Sequence, residues 1–221
     1  MQTEFSPEEC RVLGTLVEKA QTVPASYPMT LNAIVAGCNQ RNNRDPVTAF
    51  DEDAVLEALD SLRRRGLVRE VDLAGSRVAK FRHVAREFWS VSTEELALLV
   101  ELLLRGPQSL ASLRGNAARM IPSGIGSPDE VHRLLDGLSA RTHPLVRRAA
   151  APAGSRAPLY AQLILPDLHP LGPARAAPDS PIAADSRLAD RITVLEAELK
   201  VCRLAISRLA SRLGEADPFE P

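Results

Sequence analysis

The chain has 221 residues, 45% of them hydrophobic and 4% aromatic, with 27 Lys and Arg against 28 Asp and Glu. That apolar content excludes global disorder and a fibrous repeat, and the length allows two small cores plus an appendage. Charge is spread evenly, with 11 basic against 12 acidic residues in 1–85, 9 against 8 in 86–168 and 7 against 8 thereafter, so no segment announces a polyanion partner by bulk charge.

Cys10, Cys38 and Cys202 are too few and too far apart for a disulfide framework or a structural zinc site, which fits a reducing cytoplasm. The N-terminus has no basic region leading into an apolar core, and charge interrupts every long apolar stretch. Neither export nor a membrane partner is expected.

Ser6 and Glu9 have the spacing of a capping box, so a helix is expected to start there with Leu13, Leu16, Val17 and Ala20 on its core face. A short second helix follows over Thr30 to Cys38, with Leu31, Ile34 and Val35 inward, and a third over Asp51 to Arg65. Gly66 ends the third helix where a positive φ is cheapest. Leu67 to Asp72 and Val78 to Val84 then read as two strands around an Ala74-Gly75-Ser76 turn.

The plan then repeats. Ser92 and Glu95 open a helix with Leu96, Leu99, Leu102 and Leu103 inward, Ser109 to Met120 forms the second helix, and Pro128 starts the third. The run from Asp53 to Leu62 matches that from Asp129 to Leu138 at Asp, Val, Leu, Asp and Leu. Each copy then reaches Leu-Val-Arg, at 67–69 and at 145–147. Leu145 to Ala149 and Leu159 to Ile164 complete the second hairpin around an Ala/Pro/Gly-rich tip. A duplicated unit of three helices and a hairpin is expected, in the winged form of the helix-turn-helix.

Five prolines among Ala, Gly and Asp in 166–186 read as a linker. Beyond it Leu188, Ile192, Leu195, Leu199, Cys202, Ile206, Leu209 and Leu213 alternate steps of four and three, the seam of a coiled coil. A parallel pair would bring Arg191 to Glu196 and Glu198 to Arg203, both attractive. A homodimer is one reading, and a helix folded back on its own chain is the other. The expected class is therefore mainly α with small β-hairpins (α+β): winged-helix domains at 4–85 and 90–166, a linker at 167–186 and a coiled-coil helix at 187–214.

A search for catalytic chemistry returns little. His83, His132, His143 and His169 are widely separated, and HExxH, CxxC and GxxxxGK patterns are absent from the sequence. A non-enzyme is expected, with no catalytic residue, metal or cofactor. Gly124 and Gly126, just before the helix at Pro128, have the backbone freedom to turn N–H groups toward a phosphate, although a helix-helix connection explains them equally well.

The first copy has ten more residues than the second between its first and third helices, including Val23 to Pro28 and Asn39 to Pro46. Because the second copy lacks them, they read as dispensable for folding. Arg41 and Arg44 suit phosphate and Asn42 and Asn43 suit adenine or backbone, with Arg69, Arg77, Lys80 and Arg82 adding charge on the hairpin. These eight residues are the candidate contacts to double-stranded DNA. The competing reading has Asn39 and Asn42 capping turns while Arg41 and Arg44 offset the acidic start of the third helix. There Asp51, Glu52, Asp53 and Glu57 repel phosphate and instead suggest a protein partner.

The segments Glu9-Cys10-Arg11-Val12-Leu13-Gly14, Glu18-Lys19, Tyr27-Pro28, Leu31-Asn32-Ala33 and Cys38 to Val47 closely resemble the YceH-like family of bacterial proteins. The resemblance continues through Leu113-Arg114-Gly115 and Pro144-Leu145-Val146 to Tyr160. It implies a cytoplasmic protein with tandem winged-helix domains and brings no activity or ligand site with it. The second hairpin tip, Ala149 to Pro158, departs by being rich in Ala, so a contact by that tip is not expected.

Overall fold

Ser6 caps the first helix, α1 (Pro7–Thr22): its hydroxyl accepts from Glu9 N, and the Glu9 carboxylate accepts from Ser6 N at 2.8 Å. In this computed structural model the described residues are 5–71, 78–151 and 154–171, all within the first of two units of the chain, Met1–Ala174. Arg77, the coiled-coil seam from Leu188 to Leu213 and the linker beyond residue 171 lie outside them.

The structure is mixed α and β, with small antiparallel sheets. After α1 come the two-residue strand β1 (Met29–Thr30), α2 (Leu31–Cys38), α3 (Glu52–Arg64) and the hairpin β2 (Val68–Val71) and β3 (Lys80–His83). A short helix, α4 (Ala85–Trp89), leads to α5 (Thr93–Arg105), β4 (Gln108–Ser109), α6 (Leu110–Ala117), α7 (Pro128–Ser139), β5 (Val146–Ala149) and β6 (Leu159–Gln162). Gly66, at φ 78°, turns the chain out of α3 into β2. Each sheet has three strands with the last in the middle, in the orders β1-β3-β2 and β4-β6-β5. The first strand of each sheet is the element that the sequence pattern does not announce.

The two halves share one core, not two. Buried residues from both form a single contiguous cluster, with a small satellite of Cys10, Leu103 and Leu165. The cause lies in α1 and α5, which pack against each other and are buried all round from Glu9 to Glu18 and from Leu96 to Leu104. Gly14 permits the close approach, because a Cβ there would lie 2.7 Å from Leu104 Cδ2. Burial pushes the Cys10 thiol up to about 12, so it behaves as a packing residue. Residues expected to begin the linker lie against this body: a single 3-10 turn, Pro166–Leu168, places His169 over Gly106.

Candidate nucleic-acid interface

Polar groups on α1 and α5 form a charged seam between the halves. Glu18 and Glu101 are 1% and 0% exposed. Glu18 accepts from Arg44 Nη2 and from Arg119 Nη1, each at 2.5 Å, while Arg119 Nη2 donates to Glu101 at 2.9 Å. Burial alone would raise the Glu18 carboxyl, but Arg44 and Arg119 reverse this and hold it below the usual carboxylate range. Arg105 Nε lies 3.3 Å from Glu101 Oε1, near enough for attraction but out of line for a hydrogen bond. The sequence signal for this seam was a lone carboxylate, Glu101, inside nine otherwise apolar residues.

Arg44 is therefore removed from the predicted DNA surface. It is 6% exposed, and besides Glu18 it donates from Nε and Nη2 to Gly37 O. The loop around it is structural. The Asn39 side chain bonds both backbone groups of Phe50, Asp45 N donates to Leu104 O at 2.9 Å, and Arg105 donates to Asn43 Oδ1 at 3.2 Å. Asn43 itself sits at φ 60°, in the left-handed region that Asn tolerates. Of the extra residues of the first copy, Asn39 to Pro46 thus join it to the second, which corrects the expectation that this segment is dispensable.

Of the other predicted contacts, Arg41, Asn42 and Asn43 are exposed beside a polar cleft of about 380 Å³ that Lys19 and Arg119 also line. Arg69 is exposed opposite Arg82 across the hairpin, and Lys80 and Arg82 are half-buried. Asp51 caps α3 by accepting from Ala54 N, leaving Glu52, Asp53 and Glu57 exposed along it. Arg63 is held by Asp60 at 3.1 Å and Glu70 at 2.9 Å. A cleft of about 600 Å³ beside α3 is lined by Glu8, Glu9, Glu57 and Asp60, with Arg64 and Arg65 among its other residues.

The second half reverses the charge at two matching positions. By the Asp53/Asp129 alignment, Leu56 and Glu57 correspond to His132 and Arg133. By sheet register, Glu70, opposite Phe81, corresponds to Arg148, opposite Tyr160. From Asp51 to Val71 six carboxylates accompany four arginines, whereas from Ser127 to Ala149 three accompany four. Arg133, Arg147 and Arg148 are exposed, and none lies within 4 Å of a carboxylate among the described residues. Tyr160 and His132 Nδ1 share a hydrogen bond of 2.8 Å, and His132 Nε2 lies 3.7 Å from Asp136. Neither the Tyr160–His132 bond nor these arginines are announced by a motif in the sequence.

At the start of α7, Ser127 and Glu130 form a third capping box, and a Cβ on Gly126 would lie 2.7 Å from Glu130 Oε2. The glycines at 124 and 126 therefore lead to a helix end already occupied by a carboxylate, not to a phosphate cradle.

The match to known proteins covers this whole body. Residues 5–155 fit the family model described as a protein of unknown function, DUF480. The chain belongs to the UPF0502 (DUF480) family. A UPF0502 protein of Burkholderia cenocepacia strain HI2424 is 42% identical over 218 residues, covering 96% of this chain and 90% of the relative. Another from Acidovorax sp. strain JS42 is 40% identical over 215 residues, with 95% and 94% coverage. Both extend past residue 171, so UPF0502 relatives share the C-terminal part of the sequence as well as the two halves. No helix among the described residues is long and apolar enough to cross a membrane, and none of their His, Cys, Asp and Glu side chains gather in a group able to hold a metal.

Proposed function

We propose that this UPF0502 protein is a non-enzymatic regulator that binds double-stranded DNA through tandem winged-helix units and acts in the cytoplasm as a homodimer. The observation that supports it is the element order of each half: helix, short strand, helix, helix and hairpin, with the first strand paired to the last. In that architecture the third helix enters the major groove and the hairpin reaches the backbone. The step from architecture to DNA is an analogy of fold. The dimer rests on the heptad seam from Leu188 to Leu213.

The test is capture of sheared genomic DNA by the full-length protein at low and near-physiological salt, followed by sequencing. A recurrent site with two-fold symmetry that survives the higher salt is expected. Recovery that is diffuse and vanishes with salt would overturn the reading. Sedimentation of a chain ending at Pro181 tests the dimer, which should dissociate; a truncated chain that remains dimeric would reject the seam.

A second reading, a protein-interaction adaptor, is favoured by the carboxylate-lined cleft beside α3, which suits a basic peptide and opposes phosphate. Co-purification of a basic partner that is lost when Asp51, Glu52 and Asp53 become Ser would select it.

A further inference from the structure

We propose that the second half, not the first, carries the duplex-contacting face, with Arg133 on α7 and Arg147 and Arg148 on β5 meeting the phosphate backbone and groove of double-stranded DNA. This assignment rests on the DNA-binding reading above and goes beyond it in naming the surface. The two halves are copies of one architecture, so differences at matching positions reflect what each face meets more than what the fold needs.

Three such differences fall on α7 and β5, at the positions of α3 and β2. The exposed Leu56 becomes His132, Glu57 becomes Arg133 and Glu70 becomes Arg148. In the first half, Glu70 and Asp60 neutralise Arg63. In the second, the position of Arg63 is held by Ser139, and the arginine has moved to the strand, where no carboxylate among the described residues pairs with it. An exposed arginine without an internal partner keeps its five donors for a ligand, and its planar fork matches a phosphate or the O6 and N7 of guanine.

Placement agrees with charge. Arg148 stands directly across from Tyr160, and Tyr160 is tied to His132, so helix and strand are joined beneath the arginines. Arg133 lies in the second turn of α7, inside the stretch that reads base edges in helix-turn-helix docking. Of the two carboxylates in the first turn of that helix, Asp129 is exposed while Glu130 is turned back into its capping box and accepts from Ser127 N at 2.7 Å. The opposing charge is thus smaller than in the first half, where Glu52, Asp53 and Glu57 project from α3. Double-stranded DNA is favoured over an acidic protein because Arg147 and Arg148, on opposite faces of β5, and Arg133 on α7 spread the charge over a helix and both sides of a strand, as a groove with its flanking backbone requires.

The test measures affinity of the full-length protein for a labelled mixed-sequence duplex of about 21 bp, two helical turns, across a salt series. R133E/R147E/R148E is compared with R41E/R69E/R82E, and thermal melts confirm that both fold. The milder R133Q/R147Q/R148Q replaces the first variant if it melts early. The second-half change is expected to weaken binding at least about tenfold and to reduce the salt slope by about 3, while the first-half change stays within about twofold. Equal or greater loss in the first-half variant would overturn the assignment while leaving the DNA reading intact. A wild-type protein that binds no duplex at low salt would overturn both.

Discussion

The two halves of this protein have the same elements in the same order, yet α3 with β2 carries five carboxylates against three arginines while α7 with β5 carries three of each. In the first half Arg63 is held by Asp60 and Glu70; in the second, Arg133, Arg147 and Arg148 have no such partners among the described residues. Repetition of a fold therefore does not imply repetition of a surface. The half with the longer Asn/Arg loop uses that loop to join the body together, and the half whose sequence looked plainer presents the available charge.

The comparison requires the halves to be held as one body, and the largest expected effect comes from breaking the seam. Glu18→Ala leaves Arg44 buried without its carboxylate and is expected to cost about 3–5 kcal/mol in denaturant unfolding. A loss below about 1 kcal/mol would mean that the seam does not hold the halves together.

A second difference is acid sensitivity. Burial holds the His83 imidazole down at about 4, and in that neutral state its Nδ1 accepts from Ala85 N. The matching residue in the second half is Gln162, which takes up no proton. Because the unfolded imidazole titrates near 6.5, the unfolded chain binds this proton first as pH falls. The contribution is complete above about pH 6.5, is lost between there and about pH 4, and amounts to roughly 3 kcal/mol. Stability curves of wild type and H83Q should converge across that window, and parallel curves would place the acid sensitivity elsewhere.

A transplant sharpens the charge argument. E57R/E70R gives the first half the charges of the second and should raise duplex affinity about tenfold, with the salt slope steeper by about 2. Unchanged affinity would show that charge at these two positions does not define a binding face. The smallest expected effect is that of Tyr160→Phe, which gives the second half the residue found at Phe81. Losing the hydroxyl contact to His132 should cost about 1 kcal/mol of stability. No measurable change would mean that this bond does not join α7 to the hairpin.

Local signals in the sequence were legible because their causes are local. The capping boxes at Ser6/Glu9 and Ser92/Glu95 and the left-handed turn at Gly66 depend only on near neighbours, and the structure places all three where the spacing indicates. The strands Met29–Thr30 and Gln108–Ser109 are too short for any alternation, and each runs straight into a helix cap. All-round burial of α1 was masked by Arg11, Thr15 and Glu18, polar residues that are buried against Pro46, Cys38 and, across the halves, Arg119. Arg44 read as a surface cation because its partner, Glu18, lies 26 residues away and meets it only in the folded chain. The arginines of the second half carry no such signal: the Ala-rich tip is the feature that stands out in the sequence, while the charge sits on the strand before it.

The most direct measurement is backbone hydrogen exchange of the full-length protein with and without a duplex at low salt. The account predicts new protection confined to residues 128–149, on α7 and β5. Protection at 39–46 and 52–71 instead, with 128–149 unchanged, would contradict it.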